Sequence, residues 1–314
     1  MRQNYPSNFR ASLIASSWRL ALAVLLMALG AAPSHAAFVT FEASGSDPAA
    51  ITATRDAFRV AVGGGAVAGA NGSFGGLRRE INWDGVPDGF ADANALPANF
   101  FNSNSPRGAV FSTPGTGFMV SANAGVGAPI LFGFANDFQT FSAQRLFTAI
   151  NSNITDVTFF VPGTATSAST SAFGLVFTDV EVANQTQLEF FDLDNLLVFT
   201  RSALVSGNRG LSFVGAVAAG GEKIGRVRIT SGLNTIVANG VLGNSTDDVV
   251  VMDDFLYAEP VAAAARVAEP GSIVLAALGL CALGLRRRAA RAAACRRAHP
   301  RNGGWRRVFY RAGL

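Results

Sequence analysis

The central part of this chain has neither cysteine nor histidine. Cys281 and Cys295 lie near the C-terminus, and His35 and His299 also lie outside residues 37–268. That region therefore cannot supply a Cys/His zinc site, a Cys or Ser nucleophile paired with His, or a His general base. It cannot form a disulfide within itself, although it is long enough to bury a core without one. Carboxylate chemistry and oxygen-ligated metal ions remain.

Charged residues are scarce and unevenly distributed. They make up 15% of the 314 residues, against about 25% in a typical soluble domain. The formal charge of +4 comes from basic ends, because residues 37–268 hold 12 basic and 20 acidic residues, a net charge of −8. Such a region does not attract phosphate backbones, so we predict no nucleic-acid partner.

Residues 1–36 have the three parts of a cleavable secretory signal peptide. Three Arg residues provide the positive start, and residues 20–29 form the apolar segment. Small residues follow, which predicts cleavage after Ala36. An uncleaved signal anchor is the alternative. Both interpretations predict that the central region is exported.

The C-terminal part contains a short hydrophobic segment followed by basic residues. Residues 271–285 carry no charge, and residues 286–288 are all Arg. As a helix the segment spans about 22 Å, short of a hydrocarbon core of about 30 Å. Snorkelling Arg side chains and local thinning close part of that gap. We predict a transmembrane helix over 271–285, with the basic extension 289–314 in the cytoplasm; a buried core helix is the alternative.

This C-terminal arrangement resembles a known bacterial sorting signal. The residues that carry the resemblance are Glu269, Pro270, Arg286, Arg287 and Arg288. A Glu-Pro motif, a brief hydrophobic helix and an Arg cluster, in that order over residues 266–288, are similar to the PEP-CTERM sorting domain of Gram-negative bacteria. The first Pro of the family motif is Ala268 here, and the chain continues past the Arg cluster to residue 314.

The resemblance implies a route for the exported protein. It implies an intermediate anchored in the inner membrane, cleavage near the motif by an exosortase-type protease, and release to the cell surface or extracellular matrix. Such systems accompany exopolysaccharide production. The central region also looks like uncharacterised exported proteins with the same tail, which implies a β-sandwich and no established activity.

Residues 37–265 are predicted to form one β domain. Asp47 as a cap, Pro48 at the first helical position and Gly63 as a stop predict one short helix near its start. Beyond residue 155, apolar residues alternate with period two in short runs separated by polar turns. The predicted strands are 173–182, 186–193, 196–200, 211–217, 224–230 and 248–257. This spacing predicts an all-β fold, an antiparallel, jelly-roll-like β-sandwich.

Carboxylates at predicted strand ends suggest a calcium site. Asp179 and Glu181 share one face of a predicted strand, and Asp192 ends the next strand. The Cα atoms of residues two apart on a strand lie about 7 Å from one another, their side chains point the same way, and calcium prefers oxygen ligands. We predict that these three residues bind calcium. The alternative is that the acids are solvated or paired with Arg side chains. Alternation also places Asp253 and Asp254 on opposite faces of their strand.

A second polar stretch surrounds Trp83, the one Trp of the central region. The candidate ligand-binding residues are Arg79, Asn82, Trp83, Asp84 and Asp88. An aromatic face edged by such groups suits a sugar ring, because the ring stacks on C–H groups while the polar groups bind hydroxyls. The alternative is structural: Trp83 packs beneath a turn at Gly85 and Pro87, and Arg79 pairs with an acid.

Three functions fit these features. We predict a non-enzymatic surface or matrix protein that binds extracellular polysaccharide and has no catalytic residues. The first alternative is a glycoside hydrolase or lyase that uses two carboxylates. The second is a purely structural envelope protein. A shallow apolar pocket with two carboxyls, one of which has a raised pKa, favours the hydrolase; a flat acidic cluster at strand ends favours the binding protein.

Overall fold

β-Strands make up most of the regular structure of the protein. The computed structural model describes residues 37–125, 130–237, 240–242, 248–263, 280 and 283–291. The described residues up to Ala263 belong to one compact unit, and those beyond it belong to a second. The predicted signal peptide, the Glu269-Pro270 motif and most of the predicted transmembrane helix lie outside the described residues.

Two helices and seventeen strands are described in the first unit. The helices are α1 (Pro48–Val62) and α2 (Phe100–Ser103). In chain order the strands are β1 (Phe38–Gly45), β2 (Ser73–Phe74), β3 (Arg78–Ile81), β4 (Ala109–Ser112), β5 (Gly117–Val120), β6 (Phe147–Ile150), β7 (Ile154–Phe159), β8 (Ala168–Ser169), β9 (Ala172–Thr178), β10 (Gln187–Phe191), β11 (Leu197–Ser202), β12 (Leu211–Ala218), β13 (Arg226–Thr230), β14 (Thr235–Val237), β15 (Gly240–Leu242), β16 (Val251–Ala258) and β17 (Val261–Ala262).

The strands form two main sheets and one short pair. The larger sheet has the order β1-β12-β9-β16-β6-β14-β15, with β3 also beside β16, β2 beside β3 and β5 beside β6. The smaller sheet has the order β11-β10-β13-β7-β4, and β17 pairs with β8. Among these ladders one is parallel, where Ile236 of β14 pairs with Ile150 of β6. The prediction of a mostly antiparallel β protein with few helices is confirmed.

One hydrophobic cluster draws side chains from both sheets. Phe173, Phe177 and Phe255 come from the larger sheet, and Val157 and Phe190 come from the smaller one. Burying a large apolar side chain stabilises a fold by about 1.5–3 kcal/mol. The shared cluster is therefore the main link between the sheets.

Helix α1 covers the other face of the larger sheet. Asp47 caps it by accepting the N–H of Ala50, and Gly63 ends it with a φ of 92°. Ile51 and Phe58 are fully buried in a second cluster with side chains of β9 and β12. A Cβ on Gly215 would lie 2.9 Å from the Phe58 ring, so the sheet needs glycine there. The predicted helix and its ends are confirmed.

Strands predicted beyond residue 155 recur in the structure with boundaries that differ by a few residues. Strand β9 is buried on both faces, because one face meets the shared cluster and the other meets α1. It ends at Thr178, four residues before the predicted end, since Asp179 has a φ of 74°. An extended strand cannot continue through that left-handed conformation.

Residues 283–291 are helical and include Arg286, Arg287 and Arg288. Their side chains are exposed. Within the described parts of the chain, every helix is too short or too polar to cross a membrane.

Candidate functional site

Trp83, the predicted sugar platform, lies in the core. Its side chain is 1% exposed, and its ring stacks on Phe147 with centroids 4.0 Å apart. The indole N–H donates to the backbone carbonyl of Asp253 at 3.0 Å. The backbone turns directly after it, where the N–H of Val86 donates to the Trp83 carbonyl. The indole therefore has no exposed face on which a sugar could stack, in agreement with the structural alternative.

The polar neighbours of Trp83 are mostly engaged by other protein groups. Arg79 forms an ion pair with Glu259 at 2.7 Å. Asp84 accepts the backbone N–H of Arg145 at 3.1 Å, and Asp88 pairs with the Arg145 guanidinium. The arrangement holds the buried Arg145 rather than a ligand.

Asn82 lines a cleft of about 500 Å³ between α1, the loop that follows it, and strands β3 and β16. The volume falls in the range of about 300–1,000 Å³ typical of small-molecule pockets. Charged and hydroxyl-bearing side chains of its lining include Arg55, Arg59, Glu80, Arg107, Ser142 and Asp254. Of the five candidates around Trp83, Asn82 alone lines this cleft.

Asp253 and Asp254 do not follow the predicted alternation. The pairing of β16 with β9 shifts register between Met252 and Phe255, which is the signature of a β-bulge. The bulge leaves both Asp residues buried, 0% and 5% exposed, and close enough for each to shift the other's pKa. The prediction that they point to opposite faces is wrong, because the extra residue of the bulge interrupts the period of two.

Asp253 is the inner member of this pair. Its carboxylate accepts the N–H of Phe141 at 2.6 Å and the hydroxyl of Ser142 at 3.1 Å. Burial raises the pKa of Asp253 well above its ordinary value, and the adjacent Asp254 adds to that rise. Ionisation of Asp253 is therefore disfavoured relative to that of an exposed carboxyl.

Asp254 is the outer member and lines the cleft. Its Oδ2 lies 3.7 Å from Nη1 of Arg55, and its side chain is 7% exposed. Its Oδ1 is buried and has no hydrogen-bond partner among the described residues. Burial raises the pKa of Asp254, while the Ser142 hydroxyl and the Arg55 charge oppose that rise.

Arg55 is held beside Asp254 by its own surroundings. Its guanidinium carbon lies 4.7 Å from the centroid of the Phe141 ring. Asp56 lies 2.8 Å from its Nε, yet that buried nitrogen lacks a partner in hydrogen-bond geometry within the described structure. Burial lowers the pKa of Arg55, and the neighbouring Arg59 lowers it further. Arg55 and Asp254 thus bring a guanidinium and an acceptor without a partner to the same cleft.

Glu80, the second carboxylate of the cleft, is fixed by two guanidiniums. Arg59 contacts its Oε2 at 2.5 Å, and Arg78 contacts its Oε1 at 2.7 Å. Such charge-assisted hydrogen bonds hold a carboxylate in one orientation. Glu80 is therefore fixed in the cleft wall by its two ion pairs.

Asp179 and Glu181, two of the predicted calcium ligands, follow the end of β9. Asp179 is 5% exposed, and its carboxylate accepts the N–H of Arg209 at 2.8 Å. Burial raises the pKa of Asp179 to about 7, and the nearby Glu181, Asp137 and Asp248 carboxylates add to that rise. Glu181 is exposed.

Asp192, the third predicted ligand, lies near the opposite end of β9. The carbonyl of Phe191 accepts the N–H of Gly225, and Ile224 bonds to Thr170 just before β9 begins. The seven residues of β9 span about 20 Å at about 3.3 Å each. The structure therefore does not bring Asp192 to Asp179 and Glu181. In the described ranges, no group of three His, Cys, Asp or Glu residues is arranged to hold a metal ion.

The main residues of the cleft were not predicted from the sequence as site residues. Arg55 and Arg59 are four residues apart and share one face of α1, a spacing that could have identified them. Asp254 could not be placed, because the bulge in β16 leaves no signal in the sequence pattern. Comparisons of the chain with protein-family models, with curated proteins and with solved structures each found no match.

Proposed function

We propose that this chain is an exported bacterial surface or matrix protein that binds polysaccharide without enzymatic activity. The observation that supports this most is the cleft beside α1, in which the buried Asp254 presents an unpartnered oxygen next to Arg55. Sugar hydroxyls are both donors and acceptors, so they can satisfy such groups together. The negative charge of the central region supports the exclusion of nucleic acid as a partner.

The proposal includes the finer architecture and the route to the surface. We propose that the two sheets form a jelly-roll-like sandwich, for which their shared hydrophobic cluster is the support. The signal-like N-terminus and the PEP-CTERM-like tail support export, anchoring in the inner membrane, and cleavage by an exosortase-type protease. The cell surface or extracellular matrix is then the final location.

Glycan-array binding by purified residues 37–265 tests the function. These residues contain the whole described first unit with its own core, so they are expected to fold alone. We expect binding to a subset of polysaccharide fragments, measured with and without calcium. If the folded protein binds no glycan under either condition, the purely structural envelope role is the remaining candidate.

The sorting route has its own test. In a host that has the sorting protease, we expect the mature protein to end near residue 270. Intact-mass measurement of the extracellular protein would contradict this if it found residues 286–314 still attached.

A carboxylate-dependent glycoside hydrolase or lyase is the second candidate. It is favoured by the raised pKa of Asp254 in a cleft that also contains Glu80, since one protonated and one ionised carboxyl are the requirement of such enzymes. The two guanidiniums on Glu80 count against a free base or nucleophile. This candidate would be established if the protein released reducing ends from the glycans that it binds. Both Asp254→Asn and Glu80→Gln should then lose that activity.

A further inference from the structure

The cleft beside α1 presents a buried acceptor without a partner next to a guanidinium. Oδ1 of Asp254 has no hydrogen-bond partner in the described part of the chain. Oδ2 of the same carboxyl lies 3.7 Å from Nη1 of Arg55, whose Nε lies 2.8 Å from Asp56 outside hydrogen-bond geometry. Buried polar groups normally have partners, so an unpaired acceptor that lines a cleft indicates a ligand.

The acceptor on Asp254 restricts the chemistry of that ligand. A carboxylate oxygen requires a hydroxyl, amide or ammonium donor. An ammonium group is disfavoured here, because the cleft is also lined by the guanidiniums of Arg55, Arg59 and Arg107. A hydroxyl fits both groups, since it donates to Asp254 while its oxygen, or that of a neighbouring hydroxyl, accepts from Arg55.

The charges of the cleft argue against an anionic ligand. Glu80 and Asp254 oppose the three guanidiniums of the lining, and Asp56 pairs with Arg55 at 2.8 Å and with Arg59 at 3.1 Å. These contacts leave little excess positive charge on the walls. Residues 37–268 carry a net charge of −8, which repels polyanions.

We propose that Asp254 and Arg55 bind adjacent hydroxyl groups of an uncharged sugar residue. This inference rests on the proposed function, and it narrows the ligand from polysaccharide in general to neutral polysaccharide. Asn82 and Ser142 line the same cleft and offer further amide and hydroxyl groups. Phe141 lies under Arg55 and fixes the orientation of its guanidinium.

Three variants of residues 37–265 test the pair. Asp254→Asn keeps the shape of the side chain and removes its charge. Ala68→Trp places a large ring on an exposed residue of the cleft wall and blocks the cleft without touching the core. Glu181→Gln is the matched control, because it neutralises an exposed acid beyond the end of β9.

Two readouts follow ligand binding in these proteins. Titration calorimetry against neutral and uronate-containing oligosaccharides of equal length gives the Kd. Trp83, the one Trp of this region, donates to the carbonyl of Asp253, so its fluorescence reports on a ligand at the adjacent Asp254.

We expect neutral oligosaccharides to bind with a Kd that does not change between low and high salt. Asp254→Asn should weaken binding by about tenfold or more, as expected for a hydrogen bond to a charged group. Ala68→Trp should abolish binding, and Glu181→Gln should bind as the wild type does.

The contrary results distinguish failure of this inference from failure of the proposed function. Preference for uronate oligosaccharides, a strong salt dependence, or unchanged binding by Asp254→Asn overturns this inference and leaves polysaccharide binding intact. Absence of binding to any glycan by the folded wild type overturns both.

Discussion

Replacing Asp179 by Asn is expected to stabilise the protein at neutral and alkaline pH. The Asp179 carboxyl is 5% exposed, and burial raises its pKa from 3.8 to about 7. Ionising it therefore costs free energy in the folded state that it does not cost in the unfolded chain. Asn cannot ionise, and it tolerates the left-handed φ of 74° at this position.

The magnitude follows from linkage between protonation and folding. Below the unfolded-state pKa both states bind the proton, and this group contributes no pH dependence. As the pH rises from about 4 through about 7, the folded state retains the proton longer, so the stability of the wild type falls. Each unit of pKa difference is worth about 1.4 kcal/mol. A shift from 3.8 to about 7 therefore corresponds to a gain of roughly 2–4 kcal/mol for Asp179→Asn at pH 8.

Urea unfolding of residues 37–265 at pH 4, 6 and 8 measures this effect. We expect the two proteins to be nearly equal at pH 4 and to differ most at pH 8, with Asp179→Asn the more stable. The Asn side chain keeps an oxygen for the N–H of Arg209, which Asp179 now binds at 2.8 Å. Glu181→Gln is the comparison variant and should stabilise the protein by much less, because Glu181 is exposed and only adds to the rise in the pKa of Asp179. Equal or lower stability of Asp179→Asn at pH 8 would contradict this prediction.

Three further predictions concern calcium, packing and Asp84. If calcium binds at Asp179, a hundredfold excess over Kd stabilises the wild type by about 2.7 kcal/mol, and Asp179→Asn loses that response; melting curves indifferent to calcium and chelator would contradict a site there. Gly215→Ala should destabilise the protein by about 1–3 kcal/mol, since its Cβ would lie 2.9 Å from Phe58, whereas Gly65→Ala, with no atom within 4 Å, should be nearly neutral in the same urea assay. Burial raises the pKa of Asp84 to about 6, so a carboxyl titration near that pH, followed by NMR, should disappear in Asp84→Asn; its persistence would show that another acid is responsible.

Local signals in the sequence were sufficient for one helix and several strands. The ends of α1 were predictable because Asp47 and Gly63 act within one turn of the backbone. Strands β9 and β12 were predictable because their apolar residues recur with a strand period. Strand β1 was missed, because its burial does not alternate.

The candidate site depended on features that sequence spacing does not encode. A bulge brings Asp253 and Asp254 together. Trp83 has a left-handed φ of 64° and its side chain is buried in the core. The cleft joins α1 to β16, which lies near the other end of the domain sequence. Such long-range contacts follow from the folded topology, so the residues that line the cleft could not be predicted from the sequence, and the polysaccharide ligand stays a prediction.

Polysaccharide binding at the cleft beside α1 is tested most directly by a parallel glycan-array comparison of residues 37–265 as wild type and as Ala68→Trp. Equal folding of the two proteins is checked by circular dichroism. We expect the wild type to bind neutral glycans and Ala68→Trp to bind none of them. Identical glycan profiles for the two proteins would contradict this expectation, because the ligand would then bind elsewhere on the surface.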